Sequence, residues 1–134
     1  MSIEAIGTGI KTLLDTIPKL RCYAPNEVPD SLELPCVVIL MGPGQYATTY
    51  DQGYDSSFRI ILMLSKQDTP SAYNDLIDYV EPVGARSIFA KLDADRTLSA
   101  TCDASKLLNY SGAGQQRWGN IVYLSCEFEL AVWS

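Results

Sequence analysis

Ile121-Val122-Tyr123-Leu124-Ser125-Cys126-Glu127-Phe128-Glu129-Leu130-Ala131-Val132-Trp133 is the stretch that decides the fold. Val122, Leu124, Cys126, Phe128, Leu130 and Val132 fall on one face; Tyr123, Ser125, Glu127, Glu129, Ala131 and Trp133 fall on the other. Side chains along a strand point alternately to its two faces, so this unbroken period of two predicts a β-strand. The first row belongs to a core and the second to water or a partner. So long a strand needs neighbours of similar length, and its apolar face needs helices to cover it.

Working outward, Phe58, Ile60, Leu62 and Leu64 alternate with Arg59, Ile61, Met63 and Ser65, which predicts a second long strand. Cys36 to Met41, opened by Pro35 and stopped by Gly42-Pro43-Gly44, is apolar on both faces and fits the interior of a sheet. Leu20 to Ala24 reads as a short strand, followed by a loop that Pro25 and Pro29 hold extended. Strand character resumes near Leu98. A polar strand to about Tyr110 runs through Ser111-Gly112-Ala113-Gly114 and Trp118-Gly119 into the terminal strand, giving a second long hairpin.

The helices are read from spacings of three and four. Ile3, Ile6, Ile10, Leu13, Leu14 and Ile17 form one stripe of a helix from about Ser2 to Thr16, capped by Ser2 and ended by Pro18. Gly7 and Gly9 each weaken it by roughly 1 kcal/mol unless a neighbouring backbone has to come close. Thr69-Pro70 opens a second helix with Ala72, Tyr73, Leu76, Ile77 and Val80 as its apolar stripe. Ile88, Phe89 and Leu92 mark a third, from about Ala85 to Ala94. Strands grouped before and after the helices favour an α+β fold. The expectation is a single domain over residues 1–134: a mostly antiparallel sheet of four to five strands, helices packed on one face, and a protruding hairpin or arm.

That arm is Gln45 to Ser57, where Tyr46, Tyr50 and Tyr54 are interleaved with Thr48, Thr49, Asp51, Gly53 and Asp55. It is too long for a tight turn and too aromatic for a flexible linker. Tyrosine and tryptophan are enriched at protein interfaces. Tyr46, Tyr50, Asp51, Tyr54 and Asp55 of the arm, with Tyr123, Glu127, Glu129 and Trp133 of the terminal strand, are therefore candidate assembly-contact residues.

Composition narrows the chemistry. A net charge of −6 with ten scattered basic residues argues against binding nucleic acid by neutralising phosphates. The chain has no histidine, so the commonest general base and the commonest zinc ligand are missing. Cys22, Cys36, Cys102 and Cys126 lack a C-x-x-C spacing, and Cys36 and Cys126 continue apolar strand patterns; they read as buried free thiols acting as small hydrophobes of a protein kept in a reducing cytosol, with a disulfide or metal site as the alternative. Gly42-Pro43-Gly44 and Gly112-Ala113-Gly114 lack the Gly-Lys-Ser/Thr and the following helix of a phosphate-cradling loop and read as turns. Asp51 with Asp55, and Asp93 with Asp95, lack the full ligand pattern of a calcium loop and read as solvated charges. No apolar run approaches the roughly 20 residues that span a bilayer, and the first residues do not resemble a signal peptide. No catalytic residue, cofactor, metal or membrane contact is expected.

The order of elements and several local patterns resemble the tail terminator proteins of long-tailed bacteriophages, also described as minor tail or tail-completion proteins. Leu13-Leu14-Asp15-Thr16-Ile17-Pro18-Lys19-Leu20-Arg21-Cys22-Tyr23 and Pro29-Asp30-Ser31-Leu32-Glu33-Leu34-Pro35-Cys36-Val37-Val38 resemble that family's first helix, first strand and proline-rich approach to the second. Tyr50-Asp51, Gly53 and Asp55 before Phe58-Arg59-Ile60 resemble its arm. Gly84 to Ile88 through Asp95 to Leu98 resembles its second helical stretch, and Tyr123 to Leu130 its closing strand. The resemblance implies a hexameric ring on the head-proximal end of the tail tube, in the virion. Such a ring stops tube polymerisation and meets a head-completion or neck protein, while DNA passes through its lumen without specific binding. Six copies at −6 sum to −36, a sign that would repel DNA phosphates from such a lumen. A tail tube or neck protein of the same particle is the nearest alternative. A small cytosolic binding module, or an enzyme using carboxylates alone, is the alternative of another class.

Overall fold

The structure is a computed structural model that describes residues 3–17, 20–24, 35–44, 55–65, 70–102, 104–112, 114–118 and 121–133. In chain order its elements are α1 (Ile3–Leu14), β1 (Arg21–Tyr23), β2 (Cys36–Met41), β3 (Asp55–Ser65), α2 (Pro70–Val80), α3 (Ile88–Ala94), β4 (Ala104–Tyr110), β5 (Gly114–Trp118) and β6 (Ile121–Trp133). The fold is α+β, as expected. All six strands form one sheet ordered β1-β2-β3-β6-β4, with β5 also paired to β6. Every pairing is antiparallel except β1 with β2.

β6 is the centre of this sheet. β3 lies along one side of it from Asp55↔Trp133 to Ser65↔Leu124. β4 and β5 follow one another along the other, over Ala104↔Trp133 to Tyr110↔Phe128 and then Gly114↔Ser125 to Trp118↔Ile121. Between Tyr110 and Gly114 that side advances four residues while β6 retreats three, so one extra residue is accommodated as a bulge. Ser111 holds this point, its N–H donating to the Glu127 carbonyl at 2.8 Å and its Oγ accepting from the Glu127 N–H at 3.0 Å. Gly112 takes a left-handed conformation there (φ 82°). β5 is the strand beyond the four or five expected.

The helices cover one face. Ile6, Ile10 and Leu14 of α1, Leu76 and Tyr79 of α2, and Ile88 and Leu92 of α3 meet Val37, Ile39, Phe58, Ile60, Leu62, Cys126, Phe128, Leu130 and Val132 in one continuous core. Fully burying each of Phe58 and Phe128 contributes roughly 1.5–3 kcal/mol. The α2 stripe is rotated from the expected one, since Tyr79 is buried and Ile77 is not. α3 is shorter than expected. It starts at Ser87, whose Oγ accepts from the Ala90 N–H at 3.0 Å and donates to the Glu81 carbonyl at 2.5 Å.

Val122 was expected in the core row and is instead 39% exposed. β6 extends beyond the area that the helices cover, so its burial on that face begins only at Leu124.

Between α3 and β4, where strand character was expected to resume, the chain makes a tight turn. Leu98, Ser99 and Ala100 are consecutively left-handed (φ 51°, 60° and 63°), a conformation costing about 1–2 kcal/mol per non-glycine residue. Asp95 compensates: its Oδ1 accepts from the Thr97 N–H (3.1 Å) and hydroxyl (2.6 Å), and its Oδ2 from the Ser99 N–H (3.2 Å). The Leu98 side chain is buried in the core. Its carbonyl lies against Gly9 of α1, where a Cβ would sit 2.2 Å from the oxygen. Gly9 is thus a point of close backbone approach.

Candidate functional site: the surfaces left for a partner

The face of the sheet away from the helices divides into two halves. One is a second apolar cluster of Cys36, Val38, Ile61, Met63 and Tyr123, with Tyr23, Leu40 and Trp118 packed against it. No helical residue among those described contributes to it. Tyr123 belongs here. It is only 3% exposed, so its expected place on an open contact surface is corrected. Its row alternates with the core row, but β2 and β3 place Val38, Ile61 and Met63 on the same face, and the aromatic ring is enclosed among them.

The other half is polar and open. Arg59 donates from Nε (2.9 Å) and Nη2 (2.5 Å) to Glu127 Oε1, and Asn109 donates from Nδ2 to Glu129 Oε2 at 3.1 Å. The Arg59–Glu127 pair is exposed at 46% and 40%, so solvent limits it to at most about 1 kcal/mol. Lys106, opposite Ala131, brings a second positive charge to this face. Glu127 and Glu129 thus share this patch with Arg59 and Lys106, two acidic and two basic groups among its described side chains. Trp133 closes the row at 41% exposure, between Asp55 and Ala104 in register.

Of the expected arm, Asp55 to Ser57 are the first residues of β3, with the Ser57 hydroxyl donating to the Pro43 carbonyl at 2.6 Å. Tyr46, Tyr50, Asp51 and Tyr54 lie outside the described residues, as does the side chain of Asp55. The structure thus brings Glu127, Glu129 and Trp133 onto one open surface and removes Tyr123 from it.

A further surface was not singled out from the sequence. On the helix side, between α2, the turn after it, α3 and β4, lies a groove of about 690 Å³. Leu76, Ile77, Val80, Phe89, Leu108 and Tyr110 form its walls and Phe128 its floor, with the Tyr110 and Phe128 ring centroids 6.5 Å apart. Among the described residues its one charged lining residue is Glu81. Ile77, Leu108 and Tyr110 are 44%, 49% and 57% exposed, much for large apolar side chains grouped together. Leu108 is turned outward because β4 bulges between Leu107 and Asn109. The α2 wall is fixed by Arg86, which pairs with Asp75 (3.2 Å) and Asp78 (3.7 Å) and lies 5.9 Å from the Tyr79 ring centroid. Burial pushes the Tyr79 hydroxyl pKa up, against the opposing pull of Arg86. Ile77 and Phe89 were assigned to core stripes and Leu107-Leu108 to a polar strand; two apolar residues running together there were the available signal.

No family model and no curated protein sequence matches the chain. All four cysteines are free, and burial pushes Cys22 and Cys36 up to about 12 and raises Cys126 as well. Among the described residues no cluster of three metal-ligating side chains forms, and no helix is long and apolar enough to cross a membrane.

Proposed function

We propose that this chain is a structural virion protein that assembles as a hexameric ring at the head-proximal end of a phage tail tube. There it ends tube growth and offers the head-completion protein its docking surface. The observation that carries this reading is the shared order of sequence patterns set out above. The α+β fold supports it, with α1, β1, the start of β2, α3 and β6 falling on the stretches that carry the resemblance. A grouped set of exposed apolar side chains is what a chain that works by assembling needs.

The lumen argument is narrowed by the mixed charges around Arg59. If an acidic bore lets DNA slide, its charge comes from elsewhere, for instance Asp93, Asp75, Asp78 and Glu81, which outnumber the basic residues beside them. A ring with a measurably electropositive bore would sink that part of the reading.

The test is tail assembly with and without the protein, followed by electron microscopy. Omitting it should give tails of uncontrolled length that do not join heads; tails of normal length that still join heads would refute the role. Deleting residues 45–54, which spares β3, should leave a folded chain that no longer caps tails. Chromatography with light scattering separates the alternatives: six copies of a 14.7 kDa chain give about 88 kDa for a closed ring, whereas a tube protein gives open-ended polymers.

A further inference from the structure

The chain carries a second exposed apolar feature. Val122, 39% exposed, lies on the helix side of the sheet near the start of β6, whereas Ile121 beside it, 37% exposed, faces the opposite side with Trp118. Arg117 lies directly across the hairpin from Val122. Its side chain makes no ion pair with a described residue, and neither does the carboxylate of Glu81 in the groove. The helix-side face of this hairpin thus offers an exposed valine beside a positive charge, and the groove offers exposed apolar side chains beside a negative one.

The two cannot meet within one chain. Val122 and Phe128 have the same parity on β6 and so face the same side of the sheet, but six residues separate them along a paired strand, roughly 20 Å at 3.4 Å per residue. Nor can the hairpin fold back, because β6 is paired to β3 on one side and to β5 on the other at Leu124 and Ser125, between Val122 and Phe128.

We propose that the groove between α2, α3 and β4 receives the helix-side face of the β5–β6 hairpin of a second copy of this chain, with Val122 against Ile77, Leu108 and Tyr110, and Arg117 paired to Glu81. Knob and socket are different patches, so each added copy leaves one of each free, and such a series ends only by closing into a ring. The same contact made reciprocally stops at two copies. This inference concerns the contact and goes beyond the proposed role at the tail, so the two can fail separately.

The experiment is sedimentation velocity on the full chain across a concentration series, with Glu81→Arg, Arg117→Glu, the double variant and Val122→Asp, each checked for folding by its thermal transition. Both single charge reversals should raise the concentration for half-assembly at least about tenfold, and the double variant should return it to within about threefold of the original chain. Val122→Asp should leave a folded monomer. A wild-type chain that stays monomeric at millimolar concentration, single reversals that assemble unchanged, or a folded double variant that is not restored would overturn the contact. Restoration in a closed dimer would uphold the contact and count against the tail ring.

Discussion

Gly9→Ala tests how tightly α1 is docked on the turn before β4. In an exposed helix interior this change stabilises a protein by about 1 kcal/mol, because alanine has the better helix propensity. Here the new methyl would lie 2.2 Å from the Leu98 carbonyl oxygen and 2.9 Å from Thr101 Oγ1, and one of the two elements must move by about 1 Å. The obstacle is backbone, and that backbone is already committed: Leu98, Ser99 and Ala100 are left-handed, and the Thr101 hydroxyl donates to the Leu98 carbonyl at 2.7 Å. Overpacking of this kind costs typically 1–3 kcal/mol, and a rigid neighbour puts it in the upper part of that range. After the propensity gain is subtracted, Gly9→Ala should destabilise by about 1–2 kcal/mol, lowering Tm by roughly 3–8 °C for a chain of this size. Thr8→Ala, on the exposed side of the same helix, is the control and should leave Tm within about 2 °C or raise it. Urea and thermal unfolding of the three proteins decide the matter. A Gly9→Ala protein as stable as Thr8→Ala, or more stable than the parent, would refute the close approach.

Phe128→Ala should cost about 3–5 kcal/mol in urea unfolding, since the ring is 1% exposed at the centre of the core. Asp95 is held below the usual carboxylate range, first by the Thr97 hydroxyl and then by the Ser99 N–H. A lowered folded-state pKa gives stability that is present above the unfolded value of about 4 and lost as pH falls through the folded one. Asp95→Asn should thus be less stable than the parent at pH 7, and the gap should narrow as pH falls below the unfolded value of about 4. With a thiol reagent at pH 8, Cys22 and Cys36, pushed up to about 12, and buried Cys126 should stay unmodified until the chain unfolds, leaving half-buried Cys102 to react first. Arg59→Met should change stability by no more than about 1 kcal/mol, because its pair with Glu127 is open to solvent.

What was legible in the sequence was local. Alternation over Ile121 to Trp133 gave β6, spacing of three and four gave α1, and the doubly apolar run gave β2 an interior place. What was not legible depended on neighbours. Val122 has the right parity for the core and lacks only a helix above it. Tyr123 has the wrong parity and is buried because other strands supply apolar neighbours on that face. β5, Gly114-Gln115-Gln116-Arg117-Trp118, has little strand propensity and exists because β6 offers it a free side. The groove needed three elements to meet; of its exposed members, Ile77 falls on the stripe expected in the core, and Leu108 and Tyr110 on the strand expected to be polar. Glu127 and Glu129 were legible as surface residues, but their partners Arg59 and Asn109 come from strands distant in sequence.

Two-sided burial along β6 removes a safeguard against misalignment. A strand with one wet face cannot slip by a single residue without turning its apolar row outward. From Tyr123 to Cys126 both rows are buried, so over that segment the penalty for slipping is weak. Alignment must be enforced elsewhere: by the irregularities at Met63/Ser65 and Leu107/Asn109, by the two Ser111 bonds, and by the Arg59–Glu127 and Asn109–Glu129 pairs. Each works like a pin through a particular hole. The polar half of the open face thus acts as the ruler against which the apolar half is set.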